Sequence, residues 1–150
     1  MSSEDNKALV RRLYDEVVNT GDIARLGDLV AADFVGHSPD VGAGIGGTHT
    51  GLAPLTGELM AIRTMLSEGF NATLEQMVAE GDKVAVRGVT RGRHTGEIPG
   101  VAPTGRDVTM TWAAIYRIAD GKIVERWLNA DDLSSFQQLG IIPPMPQPGA

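Results

Sequence analysis

The run 125-ERWLNADDLSSFQQLG-140 sets two adjacent carboxylates, Asp131 and Asp132, at the end of an apolar, tryptophan-bearing segment. The segment reads as a strand, and the residues after it as a helix that stops at Gly140. An acid in that position has two uses. Its oxygen can cap the helix, or apolar neighbours can raise its pKa and make it a general acid/base. Side chains alternate along a strand, so Glu125, Trp127, Asn129 and Asp131 share one face, and Arg126, Leu128 and Ala130 the other. The first set is an apolar wall with few polar groups, the pattern of a ligand pocket. Asp132 is the better placed of the two to cap the helix carrying Ser135, Phe136 and Leu139. The competing reading gives both aspartates to the helix start, or the cap to Asp131 with Asp132 in the first turn.

The histidines are His37, His49 and His94. His37 and His94 each stand where a strand meets a loop, and an imidazole exchanges protons near neutrality. Taken singly, each reads first as a surface or loop-anchoring residue. His49, in a glycine-rich run, is the weakest candidate. There is no HxH, HxxxH or HExxH pair and no cysteine, so a metal site is not expected even if His37, His94 and Asp131 converge. The run GAGIGG lacks the Lys-Ser/Thr of a phosphate loop and has no βαβ context. Trp112 and Tyr116 share a strand face with Met110 and Ala114, either as core or as a stacking surface. Arg87, Arg91 and Arg93 share another, which reads as a solvated face.

Helices and strands must hold these groups. Leu9, Val10, Leu13, Tyr14, Val17 and Val18 recur at helical spacing after Ser2 and Ser3. Asp22 is placed to cap a short second helix. The segment 31–40 reads as a short strand, 41–51 as a glycine-rich loop, and 52–68 as a third helix with Pro54 in its first turn. Segments 70–80, 83–94, 107–118 and 122–130 read as strands, and Asp120-Gly121 between two of them is a hairpin signal. Helices followed by antiparallel strands give an α+β fold with a hollow between the layers. The tail 143-PPMPQPGA-150 is too proline-rich for helix or central strand. The chain of 150 residues reads as one domain over 1–142 plus that tail. A net charge of −6 argues against a nucleic-acid or anionic membrane partner. The polar N-terminus and the absence of a long apolar run lead us to expect a cytoplasmic protein.

Three stretches carry a resemblance: 6-NKALVRRLYDEVVNTGDIARLGDLVAADFVGHSP-39, 78-VAEGDKVAVRGVTRGRHTGEIPGVAPTGRDV-108 and 116-YRIADGKIVERWLNADDLSSFQQLG-140. Together they resemble the SnoaL-like polyketide cyclases, or ester cyclases, of the nuclear-transport-factor-like superfamily, over about residues 4–142. The resemblance implies a cone-shaped α+β barrel, a mostly antiparallel curved sheet packed on N-terminal helices around an apolar pocket. It implies a homodimer or homotetramer acting on a hydrophobic or aromatic small molecule, without metal or cofactor. The implied chemistry is intramolecular aldol ring closure in antibiotic-type biosynthesis, of the isomerase/lyase kind. Asp131 matches the family's acid/base, with His94 or His37 assisting. Tyr14, Phe34, Trp112, Trp127 and Asn129 are the expected substrate contacts. Epoxide opening or hydroxylation-related tailoring is the alternative within enzymes, and a non-catalytic binding protein the alternative outside them. Gly88 stands where many relatives have a bulky aromatic, Trp112 where many have something small and Ala114 where many have a polar residue, so the pocket is reshaped.

Overall fold

The structure is a computed structural model that describes residues 1–42 and 45–149. Ser2 opens the first helix, α1 (Ser3–Leu13), through a reciprocal cap: Asp5 N–H donates to Ser2 Oγ at 3.1 Å and Ser2 N–H to Asp5 Oδ2 at 2.9 Å. The helix continues as a wider π turn, Tyr14–Val18. Its apolar pairs, 9–10, 13–14 and 17–18, repeat every four residues. A turn wider than the α-helical 3.6 residues keeps the last pair on the core side. Ile23–Arg25 forms a 3₁₀ turn leading into α2 (Leu26–Leu29). The expected cap is absent there: Asp22 makes no side-chain cap hydrogen bond, and the backbone N–H of Asp22 is itself held by Thr20 Oγ1.

The sheet has six strands: β1 (Val30–Gly42), β2 (Ile45–Thr50), β3 (Glu68–Glu80), β4 (Lys83–Arg93), β5 (Asp107–Ala119) and β6 (Lys122–Ala130). Their order is β2-β1-β6-β5-β4-β3. Only the β1–β6 pairing is parallel. Register shifts near Val30/Val35, Ser38/Gly42, Leu74/Gln76 and Arg117/Ile118 mark bulges, which bend and twist the strands that carry them. The sheet therefore curves without closing, and β2 and β3 are its edges. The β5–β6 hairpin turns on Asp120 and Gly121, both at positive φ (52° and 74°), the backbone a tight two-residue hairpin requires.

The glycine-rich run is where expectation and structure part. Residues 45–50 are strand, antiparallel to β1, and Pro39 falls inside the irregular stretch of β1 between Ser38 and Gly42. A proline is tolerated there because the ladder is already interrupted.

Helices α1, α2 and α3 (Leu52–Met65) and α4 (Asp132–Gln138) all pack against the sheet: α1 on β3, β4 and β6, α2 and α3 on β1, and α4 on β5. The main core lies between α1 and the sheet and includes Val10, Tyr14, Val17, Leu29, Phe34, Val84, Trp112 and Tyr116. A smaller cluster, Met65, Leu66, Val108 and Leu139, sits beneath α4, and Phe70 packs against both. No helix among the described residues is long and apolar enough to cross a membrane.

Candidate functional site

Strand alternation sorts the candidate residues onto two faces of the sheet. On β6, Arg126 is buried against the helices while Asn129 is exposed on the other side. Trp127 and Asn129 line an open groove of about 710 Å³ with Gln76, Ala85, Ala113 and Ile115. That is the outer, convex face. His37 lies there too: its ring stacks on Trp127 at 5.5 Å, its Nε2 is 2.8 Å from Glu125 Oε2, and its Nδ1 is 3.2 Å from Thr48 Oγ1. Arg117 donates twice to the other oxygen of Glu125, at 3.0 and 3.1 Å. Together the two partners hold the Glu125 carboxyl below its ordinary value, the His37 hydrogen bond contributing most. The structure thus sets His37, Trp127 and Asn129 on the face opposite Tyr14, Phe34 and Trp112. The single wall expected from Trp127, Asn129 and Asp131 does not form, because the chain turns at residue 131. Arg87, paired with Glu75, and Arg93, paired with Glu68 and Asp107, lie on the solvated face that the sequence suggested.

The concave face holds Tyr14, Phe34, Trp112, Tyr116 and Arg126. Tyr14 and Trp112 stack with ring centres 5.4 Å apart and planes 11° from parallel, and the indole N–H donates to Thr90 Oγ1 at 3.1 Å. Trp112 pairs across the ladder with Gly88, and a β-carbon at 88 would overlap the six-membered ring of the indole. The two departures noticed in the sequence are one feature: the missing side chain at 88 is the space that Trp112 fills. Below the stack, the hydroxyls of Tyr14 and Tyr116 are 2.6 Å apart. Burial raises both tyrosine pKa values, and the neighbouring Tyr116 pushes Tyr14 well above the ordinary range. Beside them Arg126 Nη2 donates to Glu58 Oε2 at 2.8 Å. Burial works against the Arg126 charge, but Glu58 and the tyrosines outweigh it and the pKa is raised.

His94 follows the end of β4, and the two aspartates follow the end of β6. Asp131 is the N-cap of α4, accepting the Ser134 N–H on Oδ1 at 3.0 Å, and Asp132 falls in the first turn. Capping by Asp132 is therefore corrected: the backbone of β6 ends one residue earlier than that reading requires, held where Asp131 N–H donates to Thr111 O at 2.9 Å. The Asp132 carboxyl is half-buried and its pKa is raised, by desolvation first and by the charge of Asp131 second. His94 is fully buried. Its Nδ1 accepts the Thr104 N–H at 3.1 Å, and its Nε2 has no partner. His94 aligns with Arg106 and Asp131 with Thr111, both on or beside β5. Five residues of strand, about 17 Å at roughly 3.3 Å each, therefore separate their backbones. The two side chains share no hydrogen bond. Among the described residues no group of three His, Asp or Glu side chains is arranged to hold a metal ion.

Sequence reasoning did not single out Arg126, which pairs with Glu58. The signal was present. Alternation put Arg126 on the same face as Leu128 and Ala130, and an arginine on an apolar face needs a carboxylate partner.

The chain belongs to the SnoaL-like polyketide cyclase family, whose family model matches residues 8–139. Among solved structures, it is 35% identical to IdmH, a candidate polyketide cyclase from Streptomyces antibioticus, over 90% of this chain and 98% of that one, with a TM-score of 0.77. AclR, a candidate hydroxylase from Streptomyces galilaeus, is 26% identical over 97% of this chain and 87% of its own, with a TM-score of 0.80. A nuclear-transport-factor-2-like protein from Burkholderia xenovorans, 22% identical over 93% of this chain and 98% of its own at a TM-score of 0.71, shares the fold. No curated protein sequence matches the chain.

Proposed function

We propose that the protein is a cofactor-independent cyclase of polyketide or related secondary metabolism, closing a ring by intramolecular aldol-type acid/base chemistry. The observation that carries the reading is Asp131. By resemblance it matches the family's acid/base position after the tryptophan of the last strand, and the Ser134 N–H engages only one of its oxygens. In the proposed reaction that carboxylate removes a proton from a carbon α to a carbonyl. The enolate carbon attacks a second carbonyl, a carbon–carbon bond forms, and the new alkoxide takes a proton back. Asp131 itself returns the proton it removed, and Asp132, whose carboxyl is raised by desolvation and by the charge of Asp131, stands beside it. His94 supplies a neutral N–H to developing negative oxygen. Holding the substrate folded contributes alongside the proton transfer, since ring closure depends on orientation.

A second reading, hydroxylation-related tailoring or epoxide opening in the same place, is favoured by the likeness to AclR. The test is product formation from an uncyclised aromatic polyketide ester by the wild type and by Asp131→Asn. Ring closure by the wild type, slowed about 100-fold or more in a variant that still binds, is the expected result. Binding by both with reaction by neither would remove the cyclase reading for this substrate class and favour tailoring or plain binding.

A further inference from the structure

Arg126 sits deep on the concave face, its side chain 7% exposed. Its strand position is five residues before the turn at Asp131, about 17 Å away at roughly 3.3 Å per residue. Leu128 and Ala130 lie between and pack against the core. The polar cluster around Arg126 is unfinished in one specific sense. The Nε–H of Arg126 is buried and has no acceptor. The tyrosine hydroxyls, 2.6 Å apart, share one hydrogen bond, so whichever tyrosine accepts has its own O–H left over. No other side-chain hydrogen bond involves either hydroxyl among the described residues. Both leftovers are donors. A buried unpaired donor is costly, and the group that satisfies two of them beside a guanidinium is an oxygen with negative charge.

We propose that Arg126, Tyr14 and Tyr116 form a subsite for an acidic oxygen of the substrate, a phenol or enol oxygen bound as its anion, which anchors one end of the molecule while the other end reaches Asp131. The inference rests on the concave face being the substrate side, as in the ring-closure reading. Glu58 fits the role of a stand-in. It is the one exposed member of the cluster, its side chain 39% accessible at the end of a flexible stem on α3. Its carboxylate neutralises the guanidinium and is displaceable toward solvent, where an acidic oxygen takes its place. The subsite selects flat, hydroxylated ring systems, because the Tyr14–Trp112 stack forms an aromatic surface directly beside the hydroxyl pair.

The probe is 4-nitrophenol, colourless as the phenol and yellow as the phenolate. With wild type the yellow band is expected at a pH where the free probe is mostly colourless. Arg126→Met should abolish it, lowering affinity by at least about tenfold, the scale of a lost hydrogen bond to a charged group. Glu58→Gln should strengthen it, since the guanidinium then lacks a competing carboxylate. A purely structural ion pair gives the opposite pattern, with both partners' variants impaired alike. Thermal unfolding confirms that each variant is folded, and if Arg126→Met is not, Glu58→Gln decides alone. No phenolate uptake by wild type, uptake unaffected in folded Arg126→Met, or uptake unchanged or weakened in Glu58→Gln would overturn the subsite. Arg126-dependent uptake without ring closure would keep the subsite and overturn the cyclase reading. Asp131-dependent ring closure without uptake would do the reverse.

Discussion

Thr104 donates its backbone N–H to Nδ1 of His94 across 3.1 Å, and this fixes which ring nitrogen carries the proton. A backbone amide can only donate, so Nδ1 accepts and the neutral ring bears its hydrogen on Nε2. That hydrogen is the one without a partner. Nitrogen-15 NMR of the imidazole is expected to show the Nε2–H tautomer. His94→Phe should slow ring closure by about 10²–10³-fold, the scale of one lost oxyanion donor. His94→Gln, which restores an acceptor and a donor, should recover part of that loss. Finding the Nδ1–H tautomer instead would remove His94 as the donor.

Asp131 holds a structural role that two substitutions separate from chemistry. Asparagine caps helices about as well as aspartate, whereas alanine costs about 1 kcal/mol. Asp131→Asn should therefore unfold in urea close to wild type, and Asp131→Ala should be less stable by about that amount. Both should lose ring closure. Activity that survives in Asp131→Asn but falls in Asp131→Ala in step with stability would mean that the carboxylate serves only α4.

The fit of Trp112 over Gly88 predicts strong coupling between the two positions. Gly88→Ala should destabilise by about 1–3 kcal/mol through overpacking, and Trp112→Ala by about 3–5 kcal/mol through the cavity it leaves. In a double-mutant cycle Gly88→Ala should cost little once Trp112 is Ala. Additive losses in denaturant unfolding would show that the indole moves aside freely.

The carboxyls respond to pH with opposite signs. Asp132 is raised above its ordinary 3.8, so the folded protein holds that proton more tightly. Its contribution to stability is greatest below 3.8 and is lost as pH rises through the raised value. Glu125 is lowered from 4.5, so its contribution is present above 4.5 and is lost as pH falls through the lowered value. Urea unfolding between about pH 3 and 6 should show Asp132→Asn losing the first trend and Glu125→Gln the second. Unchanged profiles would show that neither group is coupled to folding.

The strands with clear apolar alternation, β4, β5 and β6, were legible almost to the residue, as was the Asp120-Gly121 turn. Burial on one face writes itself into a period of two. β2 was not, because its residues 45–50 include two glycines and belong to an edge, where little burial is imposed and composition resembles a loop. The candidate site was legible in parts. Tyr14, Phe34 and Trp112, named from the sequence as contacts, share the helix-covered face, and Asp131 stands at the turn into α4. His37, Trp127 and Asn129 lie on the opposite face, a division the sequence did not show, because alternation says which residues share a face and not which face the helices cover. The burial of Arg126 settles that direction, and its meaning depends on Glu58, 68 residues away in sequence on α3. Pairing over such a distance leaves no local trace.

The contact between positions 88 and 112 also has a history built into it. An indole cannot occupy its present place while residue 88 carries any side chain, yet a glycine at 88 is tolerable over a smaller neighbour. Stepwise substitution therefore reaches this arrangement only with glycine at 88 before tryptophan at 112. Once both are in place, the path back through 88 is closed until 112 shrinks again. The pair works as a ratchet on the shape of this face.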